Sequence, residues 1–309
     1  MLGLRLLCGV PLFFVMVGLL CLDAHCRVGW TLAGLLALFT VFGVREFCHF
    51  SRVLGNHPFV NWATAFGVLL FLATEFALSR PGFWGLDVEL ATFTLFVCGA
   101  FLIQLTRHRN AHVMGNLGST VLSVGYFWFF LAFVLRIRHL DAPGTTRDWA
   151  YDGLELVFVF FTASKICDIA GLIVGRTWGR HKLWPEISPK KSWEGFLGGM
   201  LACMGLLAFV IWLHDGSGSA IATFGYAKVL PLGILLSVFG LFGDLCESAF
   251  KREAQLKDAG GSLPGYGGAM DMLDSLTFNA PIAYYYFIYV CGAVEPGGDS
   301  AAMLRFFAQ

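Results

Sequence analysis

Charge is scarce in this chain. Only 14% of its 309 residues are Asp, Glu, Lys or Arg, where a soluble domain carries about 25%. That deficit excludes an ordinary water-soluble domain. The formal net charge is zero. With no basic tail and no interleaving of basic and aromatic residues, a nucleic-acid partner is not expected. The nine cysteines form no CxxC and mostly lie in apolar runs. They read as small buried hydrophobes rather than a disulfide or zinc framework. GxSxG, HExxH and Walker sequences are missing, which removes the familiar hydrolase, zinc-protease and P-loop readings. The eight histidines show no metal spacing and read as structural or interfacial. Internal repeats and low-complexity segments are absent as well.

What remains is apolar. The chain is 57% hydrophobic, with 31 Phe and 9 Trp, and its mean hydropathy is +0.70. The expected fold is an all-α polytopic transmembrane bundle. A span needs about 20 mostly apolar residues, and by that rule nine are expected, at roughly 6–22, 28–44, 59–78, 89–106, 116–135, 152–175, 195–213, 229–250 and 274–293. Arg5 ahead of an apolar core gives the first segment a signal-peptide look, but its length and the lack of an A-x-A site favour a retained span, kinked at Pro11.

Basic residues orient the bundle. Arg176, Arg180, Lys182, Lys190 and Lys191 follow the sixth span, and Lys251, Arg252 and Lys257 follow the eighth; only Lys228 lies in the loop between. Those two basic loops are therefore expected in the cytoplasm. Arg136, Arg138 and Arg147 fall in an outer loop and weaken the bias.

The chain divides by chemistry. Residues 1–140 read as N-terminal spans with few interior charges. Glu75 is the main exception, expected to snorkel or to pair locally near Arg80. Residues 141–309 hold the remaining interior polar groups and read as the catalytic half. Within it, His214–Lys228, rich in Gly, Ser and Ala, reads as a plain outer loop.

The densest chemistry starts at the end of the eighth span. Asp244, Glu247, Ser248 and Lys251 are spaced i, i+3, i+4 and i+7, so on a helix they share one face. Charge at membrane depth is expensive and marks a functional site by default. The stripe continues into Arg252, Lys257 and Asp258, then into the glycine-rich run Gly260–Gly268, then to Asp271 and Asp274. Glycines such as Gly267 and Gly268 let backbone N–H groups approach phosphate oxygens. If that loop folds back, Asp244 and Asp271 can meet and hold a divalent cation. Glu247 fits either a ligand or a helix partner. Asp274 fits either the site or the N-cap of the last span.

A second group lies upstream. Lys165 and Asp168 can form an i, i+3 ion pair on one wall of a polar cavity open to the cytoplasm. Ser188-Pro189-Lys190-Lys191-Ser192-Trp193-Glu194-Gly195 leads directly into the seventh span and offers two lysines, two hydroxyls and a carboxylate. Lysine is a good point-charge partner for phosphate.

These motifs, in this order, resemble the phosphatidate cytidylyltransferase (CDP-diacylglycerol synthase) family. Its C-terminal signature, S-x-[apolar]-K-R-x4-K-D-x-G-x2-[apolar]-P-x-H-G-G-x2-D-R-x-D, is met by Ser248, Lys251, Arg252, Lys257, Asp258, Gly260, Leu263, Pro264, Gly267, Gly268, Asp271 and Asp274. The upstream pattern is matched at Asp168, Gly171, Gly175, Arg176 and the Ser188–Gly195 run, although its Gly-Ala-Tyr is altered here. Clear resemblance covers about residues 160–280. Tyr266 stands where the signature has His, and Met272 where it has Arg. Tyr can hydrogen-bond, but neither replacement carries positive charge.

The resemblance implies transfer of CMP from CTP to phosphatidate at a bilayer, with release of pyrophosphate. Asp244 and Asp271 would hold Mg2+, with a second cation allowed. Ser248, Lys251, Arg252 and Lys257 would bind phosphate oxygens, joined by Ser188, Lys190 and Lys191. Asp168, Asp258, Glu194, Gly267 and Gly268 would complete the substrate site. A homodimer is compatible with the sequence. The short chain suggests a bacterial inner-membrane protein with a cytoplasmic site. Other CTP-using lipid enzymes and an inactive paralogue are the nearest alternatives. An ion-coupled transporter fits less well, because such proteins commonly show repeats and broken midplane helices.

Overall fold

The computed structural model describes residues 18, 22, 29–80, 85–107, 112–143, 145, 149–256, 260 and 268–295. The helices are α1 (Trp30–Val53), α2 (Val60–Ser79), α3 (Gly85–Thr106), α4 (Val113–Val124), α5 (Phe130–Arg138), α6 (Trp149–Thr177), α7 (Trp193–Leu213), α8 (Ala220–Glu253) and α9 (Ala269–Tyr286). A π-helical turn, Gly125–Phe129, joins α4 to α5, and another, Phe287–Cys291, extends α9. A β-hairpin, β1 (Lys182–Trp184) with β2 (Ser188–Ser192), precedes α7.

Among the described residues, seven helical segments are long and apolar enough to cross a membrane: 30–53, 60–79, 88–106, 113–138, 150–177, 193–213 and 220–253. They correspond to the second through eighth expected spans. Helix α9 and its π turn correspond to the ninth; Asp271 and Asp274 dilute its apolar character. The first expected span lies outside the described residues except for Gly18 and Leu22.

Helix α6 packs along α7, α8 along α7 and α9, and α1 along α2. Small residues set the closest approaches, as at membrane helix interfaces generally. A Cβ on Gly199 would stand 2.6 Å from the Cys167 carbonyl oxygen on α6. Helix α9 is central, touching α1, α5, α6 and α8. Residues from both halves of the chain therefore meet around it.

Three expectations need correction. His214–Lys228 is not a plain loop. Ser219 caps α8, and its side chain bonds Glu155; Ala220 and Ile221 donate backbone N–H groups to the same carboxylate at 3.2 and 3.3 Å. The helix then bends at Gly225, whose φ of 74° suits glycine. Glu75 does not rely on Arg80. It is fully buried and accepts from Gly29 N at 3.0 Å and Ser79 Oγ at 2.9 Å, with His139 Nε2 at 3.2 Å. Asp274 is not a helix cap, because α9 begins one and a half turns earlier, after Gly268. The described cysteines are free thiols, as the reading of cysteine as packing material expects.

Candidate active site

The site forms where the end of α8 meets the start of α9. Apolar residues carry α8 as a helix to Glu253, and the i, i+3, i+4, i+7 spacing puts Asp244, Glu247, Ser248 and Lys251 on one side. Gly243 brings that side against α9: a Cβ there would lie 2.2 Å from the Asp274 carbonyl oxygen. Carboxylate oxygens of Asp244, Glu247 and Asp274 consequently all lie within 4.8 Å of one another. Ser248 Oγ sits 3.5 Å from Asp244 Oδ1, at the limit of a hydrogen bond.

Lysines interleave with these acids. Lys251 Nζ bridges Glu247 Oε2 at 2.6 Å and Asp271 Oδ1 at 2.8 Å. The Glu247 side chain is 1% exposed, and its other oxygen, Oε1, is buried with no hydrogen-bond partner. Asp271 also accepts from Gly268 N at 2.8 Å through Oδ2. Its carboxylate therefore faces Lys251 and its own helix start.

Helix α6 supplies the opposite wall. The expected Lys165–Asp168 pair is present at 3.2 Å. Lys165 Nζ also donates to the Met272 carbonyl at 3.0 Å and lies 3.2 Å from Ser275 Oγ, while Ser275 Oγ donates to Asp168 Oδ2 at 2.8 Å. This knot ties α6 to α9 beside the acids.

The hairpin delivers the third wall. Its alternation turns Lys190 to the exposed side and Lys191 inward. Lys191 Nζ reaches Asp244 Oδ2 at 2.6 Å. Ser192 caps α7 by accepting from Gly195 N at 3.2 Å. Glu194 holds the start of the hairpin: its carboxylate lies 2.6 Å from His181 Nδ1 and accepts from His181 N at 3.1 Å.

Of the residues singled out from sequence, Asp244, Glu247, Ser248, Lys251, Asp271, Asp274, Lys191, Lys165 and Asp168 are thus gathered by contacts that run from one to the next. Ser188 lies in the strand ladder opposite Trp184. Arg252 Nε donates to the Ile187 carbonyl at 3.3 Å, tying the end of α8 to the hairpin turn. Lys257, Asp258 and Gly267 lie outside the described residues.

One residue of the site escaped the sequence reading. Glu46 on α1 accepts from Ala269 N at 3.0 Å and Met270 N at 2.9 Å. A cavity of about 200 Å³ opens nearby between α1, α4 and the end of α8. Phe47, Phe50, Leu54, Leu122 and Phe250 are among its lining residues, and none of the expected site residues is.

A helical bundle with membrane-length helices and a cluster of acids and lysines where they meet a short hairpin defines the class: a polytopic membrane protein with a charged site. The pattern of the cytidylyltransferase family matches residues 4–290, and the chain belongs to that family. Its similarity to phosphatidate cytidylyltransferase of Bacillus subtilis is 33% identity over 200 residues, 64% of this chain and 67% of that one. With phosphatidate cytidylyltransferase of Chlamydia pneumoniae it is 31% identical over 255 residues, 80% of this chain and 79% of the relative. With the uncharacterized protein YnbB of Escherichia coli it is 30% identical over 271 residues, 85% and 80% of the two chains.

Proposed function

We propose that the protein transfers CMP from CTP to phosphatidate, yielding CDP-diacylglycerol and pyrophosphate, in a bacterial inner membrane with its site toward the cytoplasm. The observation that carries this reading is the convergence of α6, the hairpin, α8 and α9 on one chain of alternating carboxylates and ammoniums, in a member of the cytidylyltransferase family.

In the reaction a phosphate oxygen of the lipid attacks the α-phosphorus of CTP. A P–O bond forms, the α–β anhydride bond breaks, and pyrophosphate leaves with the electron pair. Such a transfer needs positioning and charge neutralisation more than covalent help. The nucleophile is already an anion, so no general base is required. Lys191 and Lys251 would meet phosphate oxygens, with Ser248 beside them. Lys190, Ser188, Arg252 and Lys257 would extend the phosphate site from the flanking segments.

The residues fit a divalent cation. Five carboxylates (Asp168, Asp244, Glu247, Asp271, Asp274) face three ammoniums (Lys165, Lys191, Lys251) in the contacts above. Glu247 is almost fully buried, and a carboxylate oxygen of it lies within 4.8 Å of those of Asp244 and Asp274. All-oxygen donors suit Mg2+. Where the sequence pointed to Asp244 with Asp271, the acids gathered within 4.8 Å of one another are Asp244, Glu247 and Asp274; these three would hold it, and Asp271, joined to Glu247 through Lys251, would complete the acidic wall. Bound there, Mg2+ would neutralise charge on the transferring phosphates.

The experiment is direct. Purified protein given CTP, phosphatidate and Mg2+ is expected to release pyrophosphate, and Asp271→Ala is expected to abolish release while the protein stays folded. Undiminished turnover in that variant removes Asp271 from the mechanism. A second reading, transfer to a different lipid phosphate, is favoured by Met272, which leaves this corner of the site without the signature's guanidinium. Turnover with another phospholipid or polyprenol phosphate, and none with phosphatidate, would establish it.

A further inference from the structure

Glu46 sits two turns from the end of α1, and only 6% of it is exposed. Burying a carboxylate is costly unless its oxygens are satisfied. Here each oxygen takes one backbone N–H of α9: Oε1 from Ala269 and Oε2 from Met270. Asp271 takes the preceding N–H, that of Gly268. Two carboxylates therefore hold three consecutive donors at the positive end of the α9 dipole. Gly260 also lies close, since a Cβ there would come within 2.8 Å of Glu46 Oε1.

This arrangement does more than cap a helix. The cap comes from another helix, 223 positions away in sequence, so it fixes α9 relative to α1 in depth and in rotation. Asp271 is the next residue after Met270, and Asp274 follows less than one turn later. A bidentate grip resists rotation about the helix axis in a way that one hydrogen bond would not. A rotation of α9 would swing Asp271 off Lys251 and Asp274 off Asp244 together.

We propose that Glu46 is a positioning residue for phosphoryl chemistry at this site, acting through Ala269 and Met270 on the aim of Asp271 and Asp274. The proposal rests on the cytidylyltransferase reading for its activity readout, but its geometry can be tested without turnover. Glu46→Gln keeps the shape, yet turns one amide N–H2 toward a backbone N–H and removes the charge. It is expected to lower kcat about 10- to 100-fold, the loss typical of roughly 1 Å misplacement. KM for the lipid is expected to stay unchanged, and Glu46→Asp to recover part of the rate. In hydrogen exchange, the amides of Ala269 and Met270 should be protected in the unaltered protein and should exchange faster in Glu46→Gln, while α7 keeps its protection.

Unprotected amides at 269 and 270 in the unaltered protein would overturn the proposal. So would full kcat in a Glu46→Gln variant whose exchange has changed. A uniform loss of protection across the bundle would show a stability role only, and would overturn it too. If the unaltered protein fails to turn over any lipid phosphate while the exchange result holds, the reaction reading fails and the geometric role of Glu46 stands.

Discussion

Gly243→Ala puts the close approach of α8 and α9 to a quantitative test. The added Cβ would stand 2.2 Å from the Asp274 carbonyl oxygen and 3.1 Å from Phe278 Cδ2. A carbon–oxygen contact needs about 3.3 Å, so the helices must part by roughly 1 Å. The opposing atom is backbone and cannot rotate away, and overpacking of this kind costs about 1–3 kcal/mol. Alanine also returns about 1 kcal/mol in helix propensity. The net stability change is therefore small or moderately unfavourable, while the geometric change falls entirely on the acid cluster. A 1 Å misplacement costs about 100-fold in rate, or about 2.7 kcal/mol of barrier. The assay is pyrophosphate release alongside thermal unfolding in detergent. Gly205→Ala is the control, because nothing lies within 4 Å of a Cβ there. The expected result is a large rate loss in Gly243→Ala with little loss of folded protein, and no rate loss in Gly205→Ala. A Gly243→Ala protein that is more stable and fully active would refute the claim that this contact sets the site.

Two further substitutions separate the site from the scaffold. Lys251→Met removes the cation shared by Glu247 and Asp271 and leaves a carboxylate 1% exposed without its partner; breaking a buried pair costs about 3–5 kcal/mol, so both the unfolding midpoint and turnover are expected to fall, and an unchanged midpoint would contradict the buried pair. Glu155→Gln weakens the cap on the far end of α8 and is expected to cost about 1 kcal/mol of stability, with kcat preserved because the site lies at the other end of that helix; a lost rate there would mean that the two ends are coupled.

Much of this arrangement was legible in the sequence because its signals are local. Apolar length gave the helices from Trp30 to Glu253, and i, i+3, i+4, i+7 spacing put Asp244, Glu247, Ser248 and Lys251 on one face. The Lys165–Asp168 pair is likewise an i, i+3 contact. What escaped depends on where one helix crosses another. Gly243 and the Asp274 carbonyl set the register that selects Glu247 and Asp274 as neighbours of Asp244, and no spacing rule encodes that register. Glu46 was hidden by a boundary: ending the span near residue 44 placed it in a loop, whereas α1 continues to Val53. The rule that flagged Asp244, charge at membrane depth, would have flagged Glu46 in the longer helix. The first turn of α8 carried a readable cue in Ser219, a good N-cap residue, but the surrounding glycines argued louder for a loop. Glu75 finds His139 64 positions away, which sequence proximity to Arg80 could not suggest. The hairpin is too short for periodicity to reveal, yet its pleat decides that Lys191, and not Lys190, faces Asp244.

The contacts also rank the lysines by how readily each could follow a phosphate. Lys165 is held by a carboxylate, a backbone carbonyl and a hydroxyl, so moving it would undo the join between α6 and α9. Lys251 joins two acids, one of them almost fully buried, and its departure would leave uncompensated charge in a dry setting. Lys191 pairs with Asp244, whose side chain is 39% exposed. The Lys191 ammonium is itself buried and only the Asp244 side of the pair is open to water, so a phosphate oxygen would have to replace the compensation that Asp244 supplies. Lys191 also rides on a two-stranded hairpin outside the membrane-length helices, which Arg252 and Glu194 hold at either end. Of the three, Lys191 is therefore the one carried outside the membrane-length helices, and Lys251 the one tied to a nearly buried acid.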